Sequence, residues 1–366
     1  MSSREDRPAT AQDVADLAGT SRTAVSFVLN GKADGNVALE VQERVRAAAQ
    51  ELKYSPHPGA RSLRTQRTHL IGIVTDTIAS SPFAGRLIAG ASRCALENGY
   101  LAAVFDSHQQ PEVEARAAQE FRSRRVDGLI YASMNLREVS DVARAGLPTV
   151  LANCFMPGDE LESVIPDETS GGAEAADVLL SFGHRRIATI TGLTNAAGEP
   201  DVAGEWRTTA FQQRLATAGI SPSVSLVPGD WSIDAGYHAA MQMLDVVADE
   251  RPTAVFCIND RIAAGTMLAA ARLGLTVPGD LSILGFDDQE DLAANLVPPL
   301  TTFALPHTEM GVAAMLRLIT LVTATAPNKI TSGASNHQTG GVEHTPRRRL
   351  LPSQLVARDS VGPPTR

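Results

Sequence analysis

A chain of 366 residues, 43% hydrophobic and 20% charged, is long enough for two or three folded domains and unlike disordered or collagenous sequence. It contains no run of about 18 apolar residues and opens on a polar stretch, 1–8, so neither a membrane span nor an export signal is expected, and the cytoplasm is the expected compartment. The net charge of −9 does not exclude nucleic acid, because it is uneven: residues 1–68 carry ten Lys/Arg against eight Asp/Glu, whereas the remainder carries 22 against 33.

The first predicted element is a short helix. Thr10 to Asp13 has the spacing of a capping box, and Val14, Leu17 and Ala18 follow at helical intervals before Gly19 stops the run. Ser21 is a second N-cap, and 22–29 predicts a second helix with Val25, Val28 and Leu29 inside. A third is predicted over about 39–52, with Leu39, Val41, Val45, Ala48, Ala49 and Leu52 inward. Two short helices around a glycine turn have the helix-turn-helix layout. Arg22, Thr23, Ser26 and Phe27 then share the face of the second helix that would reach base edges in a major groove. Spacing alone also fits a three-helix bundle with no nucleic-acid role.

The residues go further than the spacing. The stretch 10–21, then Thr23-Ala24-Val25-Ser26, Val28-Leu29-Asn30, Glu43-Arg44-Val45, Tyr54-Ser55-Pro56 and Ala60-Arg61-Ser62-Leu63-Arg64-Thr65, resembles the DNA-binding head and hinge of the lactose-repressor (LacI/GalR) family. The resemblance implies base reading by Arg22 and Thr23 and phosphate contacts from Ser21 and Asn30. Phe27 stands where many members carry Arg, so a guanine contact is lost there. Its ring either presses on a thymine methyl or packs within the head. The resemblance also implies that 56–68 is a hinge helix formed on DNA, with Ala60, Arg61 and Leu63 at the minor groove and Leu63 as the wedge. Ala38 and Val41 occupy positions where the family usually has hydroxyl residues that donate to the DNA backbone.

From residue 69 on, apolar runs (70–75, 101–105, 128–132, 149–152, 187–191, 225–227, 254–258, 282–285) alternate with helical patterns (83–98, 112–125, 168–182, 206–218, 233–248, 260–273). About ten strands suit two doubly wound lobes. Phe182-Gly183-His184-Arg185-Arg186, Asn259-Asp260, Gly285-Phe286-Asp287-Asp288 and Leu355 to Ser360 resemble the type I periplasmic-binding-protein body of the same family. The expected architecture is an all-α head, 1–55, a hinge, 56–68, and an α/β effector domain, 69–366. Lobe 1 is placed at about 69–167 and 299–325 and lobe 2 at about 168–298 and 345–362, with chain crossings near 167–169, 297–300 and 325–345. The polar stretch 328–349, with Arg347-Arg348-Arg349, reads as a solvated surface insertion, and His184 as a structural surface residue before a strand.

Ligands bind beyond the carboxyl ends of parallel strands. That rule places Asn259 and Asp287 at the cleft, and the resemblance adds Arg207, of Arg-x-x-x-Phe with Phe211, as an effector contact. Trp231 either stacks on a sugar face or belongs to the core. Phe83 is a rim candidate, and Asp167 either meets ligand or holds the first crossing. The three scattered cysteines fit neither a disulfide framework nor a metal site, and neither catalytic motifs nor a dinucleotide-binding Gly-x-Gly-x-x-Gly occur, so no enzyme, metal or cofactor is expected. The reading is a homodimeric transcription regulator, a repressor, that binds double-stranded DNA at a palindromic operator and is controlled by a small effector, a sugar, between the lobes. The alternative is a cytoplasmic sugar-binding protein with no DNA role.

Overall fold

The structure, a computed structural model, describes residues 9–54, 67–77, 84–192, 201–226, 231–324 and 347–365, and its chain divides into two compact units, Met1–His69 and Leu70–Arg366. Among the described residues no helix is long and apolar enough to cross a membrane.

The first unit holds helices α1 (Ala11–Leu17), α2 (Arg22–Leu29) and α3 (Leu39–Glu51). Thr10 and Asp13 form the capping box reciprocally, each side chain accepting the other's backbone N–H. Gly19 turns the chain at φ +62°, where a side chain would be strained. Ser21 then caps α2, its hydroxyl accepting the Ala24 N–H at 3.2 Å. Val14, Ala15, Ala18, Val25, Val28, Val45, Ala48 and Ala49 fill the small core. One inward assignment is corrected: Leu39 is 71% exposed, because Gln42 closes the first turn of α3 by donating to the Val37 carbonyl. Leu17, at helical spacing from Val14, is 48% exposed, and Ala15 takes the buried position in α1.

The second unit contains two parallel sheets. The first comprises β1 (Leu70–Thr75), β2 (Leu101–Asp106), β3 (Gly128–Glu138), β4 (Thr149–Phe155), β5 (Glu162–Pro166) and β11 (Arg348–Leu351), in the order β11-β5-β4-β3-β1-β2. Period two along β1 sends Ile71 and Ile73 to one face, under α4 (Ala84–Glu97) and α10 (His307–Ala324), and Val74 to the other, under α5 (Pro111–Ser123). The second sheet is β7-β6-β8-β9, built from β6 (Ile187–Thr191), β7 (Ser223–Leu226), β8 (Ala254–Cys257) and β9 (Ser282–Leu284). Helices α8 (Ile233–Leu244) and α9 (Asp260–Arg272) cover one face, and α6 (Glu168–Ser181) and α7 (Val202–Thr217) the other. An antiparallel ribbon of β10 (Thr302–Ala304) and β12 (Gln354–Val356) joins this sheet through bridges from Leu284 to Thr301 and from Asp287 to Ala304.

The strands and helices read from the sequence are present, but β5, β10, β11, β12 and the long α10 are not among them. The lobe boundaries also move. Residues 299–304 stay with lobe 2, because β10 pairs with β12, and the second crossing falls between β10 and α10. The third falls between β11 and β12, since β11 is hydrogen-bonded to β5 in lobe 1. Arg348 and Arg349 therefore lie in an edge strand and not in a solvated loop: Arg348 pairs with Asp159 at 2.6 Å and lies 3.9 Å over the Phe155 ring. Phe155 also stacks on Trp206 of α7 with centroids 5.5 Å apart, so an apolar contact bridges the lobes.

Candidate DNA-reading head and effector cleft

In the head, Arg22, Thr23 and Ser26 stand exposed on α2, and Phe27 is half-buried without joining the head's apolar cluster. Asn30 ends α2 and donates its amide to the Ser26 carbonyl at 2.6 Å and to the Ser26 hydroxyl at 3.2 Å. The Ser26 oxygen is thus engaged as an acceptor, which leaves its O–H to donate outward. Ser21 keeps its hydroxyl hydrogen in the same way, because its oxygen accepts from Ala24. Ala38, at the start of α3, makes no side-chain cap.

In the body, the cleft is built on the carboxyl ends of both sheets. On the lobe 1 side, Asp76 follows β1. It accepts from the Ser133 hydroxyl and the Met134 N–H, both at 2.9 Å, and pairs with Arg137 at 3.4 Å. On the lobe 2 side, Arg207 lies in the second turn of α7 and is fully buried. Its guanidinium donates from Nε and Nη2 to the Glu168 carboxylate at 2.8 and 2.7 Å, donates from Nη1 to the Ile258 carbonyl at 2.5 Å, and lies 3.6 Å over the Phe286 ring. This approach needs small residues. A Cβ at Gly172 would fall within 3 Å of the Arg207 backbone, and one at Gly171 would meet the Phe286 ring at 2.8 Å. Glycine at 172 lets α6 and α7 cross closely enough for Glu168 to reach Arg207, and glycine at 171 leaves room for the Phe286 ring beneath the guanidinium.

Asp287 follows β9 with φ +109°, a costly backbone conformation for a residue with a side chain. Its N–H donates to the Phe303 carbonyl at 2.7 Å, which fixes the bend. The nearest polar partner of its carboxylate among the described residues is Arg207 Nη1 at 3.8 Å, beyond hydrogen-bond length. Burial lifts this carboxyl well above its ordinary value, against the pull of Arg207. Burial likewise raises Glu168 and Asp201, each opposed by the same guanidinium. Asp260 is pushed up to about 7 by burial, although the Thr302 hydroxyl and the Gln289 N–H both donate to it at 2.6 Å.

Two family profiles match the chain: "Bacterial regulatory proteins, lacI family" over residues 10–57 and "Periplasmic binding protein-like domain" over residues 176–361. The HTH-type transcriptional regulator DegA of Bacillus subtilis is 32% identical over 360 residues, 97% of this chain and 98% of its own. The chain belongs to the LacI family. The ribose operon repressor of Escherichia coli is 34% identical over 319 residues, 86% of this chain and 93% of its own. Among solved structures, the lac repressor dimer bound to operator and the anti-inducer ONPF aligns with TM-score 0.73 and 28% identity, covering 97% of this chain and all of that one. The complex of the transcriptional regulator CelR with cellobiose aligns at 0.61 and 26%, covering 96% and 99%. The protein is a LacI-family DNA-binding transcriptional repressor, with a helix-turn-helix head and a periplasmic-binding-protein-like body.

Within this LacI-family body the sequence-derived site residues fare differently. Arg207 and Asp287 meet at the cleft. Asn259 caps α9 by accepting the Ile262 N–H at 2.8 Å and donates to the Trp231 carbonyl at 3.3 Å, which leaves one amide hydrogen. Trp231 packs against Gly192, where any Cβ would overlap its ring, and close to Gly204, and its buried indole N–H has no acceptor among the described residues. Asp167 caps α6 through the N–H and hydroxyl of Ser170 at 3.0 and 2.8 Å, and its own N–H donates to the Leu351 carbonyl at 2.8 Å. It ties the first crossing to the third. Phe211 belongs to the core, stacked on Phe256 at 4.6 Å. His184 is buried and not a surface residue. It bridges Thr253, Ser282 and the Gly362 carbonyl, and burial lowers its pKa. Phe83, Ala60, Arg61 and Leu63 lie outside the described residues. Sequence reading missed Glu168 and Asp76. An acidic residue in the first turn of a helix ordinarily signals only a favourable helix dipole, and the partner of Glu168 lies 39 residues away.

Proposed function

We propose that this repressor is controlled by a small, hydroxyl-rich effector, a sugar, bound between the lobes, and that occupancy shifts a population between operator-competent and operator-incompetent states. The observation that carries the reading is Asp287: a buried carboxylate on a strained bend, lacking a donor within hydrogen-bond length among the described residues. Ligand hydroxyls supply such donors, and Arg207, the free amide hydrogen of Asn259 and the indole N–H of Trp231 complete a set that suits a polyol. The relatives named for ribose and cellobiose support the same ligand class.

On DNA, Arg22, Thr23, Ser26 and Phe27 read bases, Ser21 and the Asn30 region meet phosphate, and Ala60, Arg61 and Leu63 act at the minor groove. The exposed apolar residues Leu96 of α4 and Leu101, Val104 and Phe105 of the edge strand β2 are assigned to a two-fold dimer contact, which presents two heads to a palindromic operator. The alternative of a binding protein without a DNA role leaves that head without a task.

The test pairs a thermal-shift screen of uncharged sugars with operator titration. A ligand that raises the melting temperature through mass action must also change operator affinity. Trp206 and Trp231, the two tryptophans of the chain, both border the cleft, so intrinsic fluorescence follows the same titration. A compound that binds in the cleft and leaves operator affinity unchanged would defeat the reading.

A further inference from the structure

We infer that Glu168 is a specificity-determining residue: by pairing with Arg207 it closes the cleft to anionic effectors and reserves it for uncharged ligands. The inference rests on the cleft being the effector site.

Arg207 is the cation that an incoming phosphate or carboxylate would need. Nε and one Nη2 hydrogen already go to Glu168, and one Nη1 hydrogen goes to the Ile258 carbonyl. Both members of the pair are 2% exposed, so their charges cancel where solvent cannot screen what remains. Around them stand the carboxylates of Asp287, 3.8 Å from the guanidinium, and of Asp201, which caps α7. The other basic groups near the cleft add little. Arg137, on the lobe 1 side, is held by Asp76 at 3.4 Å and donates to the Ser133 and Tyr131 hydroxyls, both at 2.9 Å. Arg86 is held by Glu290 at 3.6 Å and by the Asp288 carbonyl at 3.3 Å. Arg261 is exposed. His307 is kept neutral near pH 7, since burial pushes it down to about 4. An anion entering here meets the Asp287 carboxyl, which has no donor within hydrogen-bond length among the described residues, and a guanidinium already satisfied. A polyol meets Asp287 as an acceptor and the remaining N–H groups as donors.

The pairing also explains the conformation of Arg207. Its stem could carry the guanidinium elsewhere, but the two charge-assisted bonds and the Phe286 face fix it against lobe 2. Glu168 therefore decides both the charge of the site and the direction in which the remaining N–H groups of Arg207 point.

The experiment uses the full-length protein and two arms. In the first, wild type is titrated calorimetrically with glucose and ribose and with glucose 6-phosphate, ribose 5-phosphate and glucuronate. No anionic compound binds within tenfold of its uncharged counterpart. Comparable binding of any such pair overturns the inference. In the second, Glu168→Gln is compared with wild type for stabilisation by inorganic phosphate at constant ionic strength. Freed Arg207 gives the variant at least tenfold tighter phosphate binding, and Glu168→Gln/Arg207→Gln abolishes the gain. This neutral double variant also serves if the single one folds poorly: it has lost both charges, so equal phosphate stabilisation in wild type and double variant is required. Absence of a gain in a folded Glu168→Gln overturns the inference. A gain in phosphate binding, with no sugar bound by wild type, leaves the charge argument standing and counts against the sugar reading instead.

Discussion

The head and the body use polar side chains in opposite ways. In the head they sit at helix ends and bond locally: Thr10 with Asp13, Ser21 with Ala24, Asn30 with Ser26, each three or four residues apart. Its core is made of small apolar residues. In the body, charged groups are buried and bonded over distance: Arg207 to Glu168 across 39 residues, Arg207 to Ile258 across 51, and Asp260 to Thr302 across 42. A reading surface that must meet DNA keeps its polar groups hydrated and inexpensive to expose. A pocket that must answer to a ligand keeps some of them buried and incompletely satisfied, so that the ligand has something to complete.

The largest expected effect tests that contrast directly. Arg207→Ala removes one partner of a buried pair and strands Glu168, which costs about 3–5 kcal/mol. A purely ligand-contacting arginine would leave stability nearly unchanged. Asp287→Asn should cost less than about 1 kcal/mol or even stabilise, because it removes a buried carboxylate whose ion-pair partner among the described residues, Arg207, stands at 3.8 Å, beyond hydrogen-bond length. Both substitutions should abolish the response of operator binding to effector. Urea unfolding of the two variants separates them. Equal stability losses would show that Asp287 is as firmly bound into the fold as Arg207.

What the sequence disclosed follows the same division. Caps, the glycine turn and the exposed face of α2 depend on neighbours within one helical turn, so they could be read directly, as could the alternation of strands and helices. The pairing of Glu168 with Arg207 could not, because it needs the crossing of α6 over α7 at Gly172. The third lobe crossing was misplaced for a related reason. Arg347-Arg348-Arg349 looks like a solvated run, and only register against β5, with Asp159 and Phe155 alongside, makes Arg348 part of a strand. In the head the error was confined to the first turn of α3, where helical periodicity alone does not say how far neighbouring helices extend.

Buried titratable groups give the body a pH dependence that the head lacks. Asp260, pushed up to about 7, holds a proton in the folded protein that the unfolded chain has released above its ordinary 3.8. Its contribution to stability is fully present below about pH 4 and is lost as pH rises through about 7. His307, pushed down to about 4, does the reverse: the unfolded chain takes its proton at 6.5, so stability is lost as pH falls from about 6.5 towards 4. Asp287, Glu168 and Asp201 act with Asp260, and His184 with His307. Over the shared window the slopes oppose each other, but the raised carboxyls outnumber the lowered imidazoles, and the body's stability should fall as pH rises. Asp260→Asn should make that fall shallower, by up to about 1.4 kcal/mol per unit. His307→Gln should tilt it the other way. Urea unfolding at three pH values between about 4.5 and 6.5 gives the slopes, and a profile that neither substitution tilts would remove both groups from the account. The head's core has no buried ionisable residue among its described residues, so its local unfolding should show neither tilt.

The smallest effect lies in the head, at the start of α3. Ala38 occupies the N-cap with φ −57° and ψ 144° and no side-chain bond, so the first N–H groups of the helix lack a side-chain acceptor and the Val41 N–H turns back to the Ala38 carbonyl at 3.0 Å. Ala38→Ser supplies the missing acceptor and should stabilise the head by about 1 kcal/mol. Its hydroxyl hydrogen stays free, as that of Ser21 does, to donate to a DNA phosphate. Affinity for operator and for random DNA should then rise by a similar factor, at most roughly tenfold, since a bond to a charged acceptor is worth about 1.5 kcal/mol. The slope of log affinity against log salt should not move, because a neutral hydroxyl releases no counterion. Val41 is a different case. It packs against the head's apolar cluster, so Val41→Thr places a hydroxyl there and should lower the melting temperature of the head. The two single substitutions therefore pull in opposite directions on stability, and the double variant should lie between them. Fluorescence-anisotropy titrations on both DNAs at several salt concentrations, with thermal melts of each variant, separate the contributions. A gain from Ala38→Ser on operator alone would mean that position 38 senses base sequence, and the first turn of α3 would then join α2 as a reading element.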